Sequence, residues 1–152
     1  MQGPISWDGR LFGPVSKDAP MRPEVLWLTA TIVMTATLWI PYILNRLYEH
    51  SPIPALMNPE PDLRPDARWA ERLMRAHANA VENLVVFAPL VGLVLAAGKA
   101  SPLTALACMV YFWTRLAHAL LYTAGIPLLR TIAFFIGFLC QMALAATVLG
   151  YA

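Results

Sequence analysis

The stretch Glu71-Arg72-Leu73-Met74-Arg75-Ala76-His77-Ala78-Asn79-Ala80-Val81-Glu82-Asn83 runs without a break into Leu84-Val85-Val86-Phe87-Ala88-Pro89-Leu90-Val91-Gly92-Leu93-Val94-Leu95-Ala96-Ala97. A charged helix start thus feeds directly into an apolar segment. On a helix, Arg72, Arg75, Asn79 and Glu82 fall at i, i+3, i+7 and i+10 and form one stripe. Two arginines, an amide and a carboxylate are costly groups to hold at the mouth of an apolar helix, and the fold turns on what they face.

The rest of the chain shows what surrounds that stripe. Of its 152 residues, 59% are hydrophobic and only 13% charged, with a mean hydropathy of +0.57. Soluble domains carry roughly 25% charged residues. No charged side chain occurs in 25–44, 84–98, 102–114 or 131–152. A bilayer core of ~30 Å takes ~20 helical residues. The fold class is therefore an all-α integral membrane protein, a bundle of four transmembrane helices. The expected spans are 25–44, 67–97, 102–123 and 128–149. The net charge of +2, with no basic run, excludes nucleic acid as a partner. Cys108 and Cys140 lie mid-span and read as buried small hydrophobes. No zinc triad, Ser–His–Asp set or phosphate loop occurs, so no metal site is expected.

Residues 1–23 hold four prolines and three glycines without an apolar run, and read as an irregular arm rather than a signal peptide. Residues 24–152 form the single membrane domain. Pro41 should kink the end of the first span. The loop 47–65, with five prolines from Pro52 to Pro65, cannot be helical throughout. Asp66 is the expected N-cap of the second helix, and Ser101 followed by Pro102 that of the third.

Six arginines (46, 64, 68, 72, 75 and 130) collect on one side, against Arg10, Lys17, Arg22 and Lys99 on the other. The positive-inside rule then places loops 45–66 and 124–128 in the cytoplasm and both termini on the opposite side. With that topology, Arg46, the Arg72–Glu82 stripe, the face Arg115/His118/Tyr122, and Arg130 with Thr131 share one end of the bundle. Ionised groups at membrane depth cost several kcal/mol unless paired or lining a wet cavity, so they should face one another. One reading is an internal Arg–Glu network that fixes helix register. The cations outnumber the carboxylate, however, and an unbalanced positive cavity fits a small ligand carrying carboxylates or phosphates. His118 by itself reads more readily as a packing residue than as a base. Tyr122 can donate to a developing anion.

Two segments also carry a family resemblance. Arg75-Ala76-His77-Ala78-Asn79-Ala80-Val81-Glu82-Asn83, with Phe87 beyond, resembles the second-helix signature of the MAPEG family (membrane-associated proteins in eicosanoid and glutathione metabolism), R-A-H-x-N-x-x-E-N followed by an aromatic. Arg115-Leu116-Ala117-His118-Ala119-Leu120-Leu121-Tyr122 resembles its third-helix signature, R-x-x-H-x-x-x-Y, and Arg130 the arginine that opens the fourth helix. The resemblance spans about 25–150 and is similar to microsomal glutathione transferases and prostaglandin E synthases. It implies a homotrimer with glutathione bound between subunits by residues matching Arg75, Asn79, Glu82, His118, Tyr122 and Arg130, with Arg46 a further contact. Arg130, with Thr131 or Tyr122, would stabilise the glutathione thiolate. A lipophilic small molecule would reach the site through the lipid bilayer, for conjugation or peroxidase action. Ala78 stands where some eicosanoid-making members carry another arginine. The family also includes a lipoxygenase-activating protein that has the fold without the chemistry, so the alternative implied function is a non-catalytic lipid- or glutathione-binding membrane protein. A scaffold whose polar core only assembles the trimer is the third reading.

Overall fold

The computed structural model describes residues 21–50 and 65–151; residues 1–20 of the expected arm and residues 51–64 of the proline-rich loop lie outside the described residues. Among the described residues five helices follow in order: α1 (Pro23–Thr37), α2 (Trp39–His50), α3 (Arg68–Ala96), α4 (Pro102–Ala124) and α5 (Pro127–Leu149). No strand occurs among the described residues. α1 and α2 together make the first membrane-length segment, and α3, α4 and α5 are the other three. Four helices are thus long and apolar enough to cross a bilayer.

The break between α1 and α2 falls at Leu38. Pro41 explains its place. Proline cannot donate to the carbonyl four residues back, and its ring crowds that carbonyl, which belongs to Thr37, the last residue of α1. The chain then resumes as helix and continues to His50, six residues past the expected end of the span. Residues 47–50, the start of the loop expected over 47–65, are therefore helical.

The second helix departs from expectation at its start. Its N-cap is Ala67, not Asp66, and no side chain of its own caps it. The carboxylate of Glu49 on α2 sits at this helix start, accepting from the backbone N–H of Asp66 and of Ala67, both at 3.0 Å, just ahead of the first helical turn. Asn45 donates to the same carboxylate at 2.8 Å. A tertiary acceptor thus holds the chain that enters α3, and a negative charge at a helix N-terminus is favourable. The third helix begins as its sequence indicates, with a capping box between Ser101 and Thr104 and Pro102 in the first turn.

The most extensive packing is between α4 and α5, then between α4 and α3, and α1 also rests on α4. At the end away from the polar cluster, the Thr104 hydroxyl donates to the Glu24 carboxylate at 2.6 Å, tying α4 to α1 inside the bundle. Lys99, in the turn after α3, donates to the carbonyls of Thr147 and Val148 at the end of α5. The apolar core lies between these ends and contains Phe87, Val91, Val94, Cys108, Tyr111, Cys140 and Leu144. Phe87 and Tyr111 stack with ring centroids 3.7 Å apart. Both cysteines are free and buried there.

Candidate functional site

The polar cluster forms where α3, α4 and α5 meet. Arg115 lies nine residues before the end of α4, which at ~1.5 Å per residue is about 14 Å down the helix. Its side chain is only 2% exposed. Its Nη2 donates to the Asn79 side-chain oxygen on α3 at 2.8 Å. Its Nη1 is buried and finds no hydrogen-bond partner among the described residues. One turn further along α4, His118 is also buried, and its Nδ1 likewise has no partner among them.

Aromatic rings fill the space around these two. His118 meets Tyr122 edge-on at 5.7 Å and Phe134 of α5 at 6.0 Å. The Arg115 guanidinium lies 5.8 Å from the Phe134 ring. Arg130, in the first turn of α5, places its guanidinium 4.3 Å above the Tyr122 ring. A cation over a phenol face is worth roughly 0.5–2 kcal/mol depending on desolvation. That contact holds the two side chains together at the junction of α4 and α5. Asn79, Arg115, His118, Tyr122 and Arg130 therefore form one constellation, with two buried donor or acceptor positions open.

The remaining expected residues diverge from that group. Arg75 turns to the exposed side of α3, where it pairs with Glu71 at 2.7 Å. Arg72 packs its guanidinium against Gly125, the left-handed residue (φ +78°) that ends α4; a Cβ there would come within 2.7 Å of the guanidinium carbon. A cation at a helix C-terminus is favourable, so Arg72 fastens α3 to the end of α4. Glu82 is exposed on the single chain, midway along α3. Thr131 is exposed and donates its hydroxyl to the Pro127 carbonyl at 2.9 Å. Arg46, on α2, keeps a buried Nε without a partner among the described residues. His77, off the stripe, accepts or donates through Nδ1 to the Tyr42 hydroxyl at 2.9 Å and serves to join α2 to α3.

The model of the MAPEG family matches residues 25–150. The chain belongs to the MAPEG family. The match covers all four membrane-length segments and both signature helices of this MAPEG protein. No curated protein and no solved structure matches it significantly. Membership makes it a multi-pass integral membrane protein of a family tied to glutathione-related membrane function.

Two groups of this MAPEG protein's site escape a search for charges. Phe134 supplies the wall shared by Arg115 and His118. Gln141, on α5, donates to the Asn83 carbonyl at 3.1 Å and lies 3.4 Å from the Tyr111 hydroxyl. The signal for Gln141 was in the sequence: it is the one side-chain amide in the uncharged stretch 131–152.

Proposed function

We propose that this protein is a glutathione-dependent membrane enzyme. It would activate the glutathione thiol for conjugation to, or peroxidase action on, lipophilic substrates. The observation that carries the reading is the buried pair Arg115 and His118, each with a nitrogen unsatisfied among the described residues, beside Asn79. Burying unpaired polar nitrogens at membrane depth is costly. A bound anion would offset that cost. Glutathione offers two carboxylates for arginines and one ammonium for Glu82.

In this reading Arg46, Arg72, Arg75, Asn79, Glu82, Arg115, His118, Tyr122 and Arg130 face or border the ligand. Arg72 and Arg75 would do so from the rim, since their present partners lie outside the cluster. Glu82, exposed halfway along a membrane helix, calls for a covering surface, and the homotrimer supplies it from the neighbouring subunit. A free thiol has a pKa near 8.5 and is mostly protonated at neutral pH; an adjacent cation raises the thiolate fraction. Arg130 would take that role, with the Tyr122 hydroxyl as a second donor. Thr131 would have to release its bond to Pro127 to assist. In conjugation the sulfur forms a bond to the electrophilic carbon and the leaving group departs with its electron pair. The acceptor, an apolar molecule, enters from the bilayer.

The test is turnover of 1-chloro-2,4-dinitrobenzene by purified protein. Wild type should release chloride and form the conjugate, and Arg130→Ala should lower the rate roughly 100-fold, as for loss of one donor to a developing anion. Equal rates for the two proteins would remove Arg130 from the chemistry. The non-catalytic alternative predicts binding of glutathione without turnover in either.

A further inference from the structure

A line of hydrogen bonds crosses three helices behind the cluster. Gln141 Nε2 on α5 donates to the Asn83 carbonyl of α3. Asn83 Nδ2 donates to the Asn79 carbonyl one turn back at 2.9 Å. The Asn79 side-chain oxygen accepts from Arg115 Nη2 on α4. We infer that Gln141 is a positioning residue, whose amide holds the Asn79–Asn83 turn of α3 against α5 and thereby sets the direction of the Arg115 guanidinium. The inference rests on the reading of the Arg115 cluster as a glutathione site.

Stability alone does not account for this amide. Gln141 is 4% exposed in a segment that carries no charge. The Asn83 carbonyl lies inside a continuous helix, where the backbone ladder already supplies its donor. The Gln141 bond is therefore an added one, and no acceptor would be stranded without it. An apolar residue of similar length and volume, such as methionine, would avoid burying an amide and should be tolerated nearly neutrally. Polar groups at membrane depth are found where function requires them.

What the amide does follows from its geometry. The second contact, to the Tyr111 hydroxyl, is long at 3.4 Å, but Tyr111 is itself fixed by stacking on Phe87. Gln141 thus meets α4 only through this long contact, and the bond that bears on α3 is the shorter one to Asn83. The Arg115 guanidinium is a rigid planar fork. Once Asn79 has anchored Nη2, the direction of Nη1 is fixed, and a small rotation of the α3 turn would swing it. Arg115 makes no other hydrogen bond among the described residues that could hold it.

The experiment compares wild type with Gln141→Met and Tyr111→Phe in detergent. Three quantities are read: the thermal midpoint, the glutathione dissociation constant, and the side-chain resonance of Arg115 in ¹⁵N-arginine-labelled protein, assigned by its loss in Arg115→Lys. In Gln141→Met the Arg115 resonance should move without ligand. Its glutathione dissociation constant should rise roughly three- to tenfold, and its midpoint should stay level or rise. Tyr111→Phe should leave the resonance and the affinity close to wild type, because the Asn83 bond remains. An unmoved Arg115 resonance in Gln141→Met overturns the inference. So does a midpoint that falls in step with affinity, which would make Gln141 a packing residue. If the resonance moves but wild type binds no glutathione, the positioning role stands and the ligand assignment fails.

Discussion

Replacing Arg115 by methionine separates a ligand site from a structural network, because the two predict opposite signs for stability. Arg115 is almost wholly buried and, among the described residues, makes a single hydrogen bond, to the neutral amide of Asn79. A central arginine costs about 2.5–3.5 kcal/mol to insert in a membrane helix. Its orphaned Nη1 adds about 1–3 kcal/mol of unmet desolvation. Against this, the bond to Asn79 is charge-assisted and returns about 1.5–3 kcal/mol, and its loss strands the Asn79 oxygen. At mid-range the two costs come to about 5 kcal/mol, against about 2 kcal/mol for the bond and about 2 kcal/mol for the stranded oxygen, so Arg115→Met is level to about 1 kcal/mol more stable and the midpoint of thermal unfolding in detergent should hold or rise. Glutathione affinity moves the other way. Loss of one charge-assisted contact of about 1.5–3 kcal/mol weakens binding roughly 10- to 150-fold. The assay is a pair of measurements on the same preparation, unfolding by differential scanning fluorimetry and binding by calorimetry. A loss of about 3 kcal/mol or more in stability with unchanged affinity would refute the reasoning, since that is the mark of a partner removed from a buried ion network.

Other perturbations report on separate parts of the molecule. Glu82→Gln should weaken glutathione about tenfold, the loss of roughly 1.4 kcal/mol, while the midpoint barely shifts; equal loss of both would favour the scaffold reading. Thr104→Val should cost about 1.5–3 kcal/mol, because it strips the donor 2.6 Å from the buried Glu24 carboxylate; adding Glu24→Gln should recover part of that loss, and a fully additive double variant would show that the two residues do not interact. Gly125→Ala should lower the midpoint by an amount equivalent to about 1–2 kcal/mol for the left-handed backbone alone, and more for the contact with Arg72; a loss no larger than the backbone share would mean that Arg72 is not seated there.

The four spans were legible because hydrocarbon admits so few charges that their absence draws the spans directly. The kink was legible as well, and its site follows from the carbonyl that Pro41 leaves without a donor. The cap on α3 was not legible. Asp66 has the right chemistry, yet the N-cap position falls on Ala67 and it is Glu49, from α2, that accepts from the backbone N–H groups there, a tertiary approach that a sequence does not display. The candidate site was half legible for a similar reason. Helical spacing puts Arg72, Arg75, Asn79 and Glu82 on one stripe, but long side chains reach in different directions from a shared face. Asn79 turns in to Arg115, Arg72 reaches the end of α4, and Arg75 folds back to Glu71. Gln141 is easily passed over because it carries no charge, and Glu24 reads only as a glutamate suited to a helix start, since its tie to Thr104 is tertiary.

The most direct test of the glutathione reading is a calorimetric titration of glutathione into the detergent-solubilised wild-type protein, with Arg115→Met in parallel. Saturable binding to wild type that weakens at least tenfold in the variant is the predicted result. Absence of heat and of any thermal stabilisation at millimolar glutathione would contradict it.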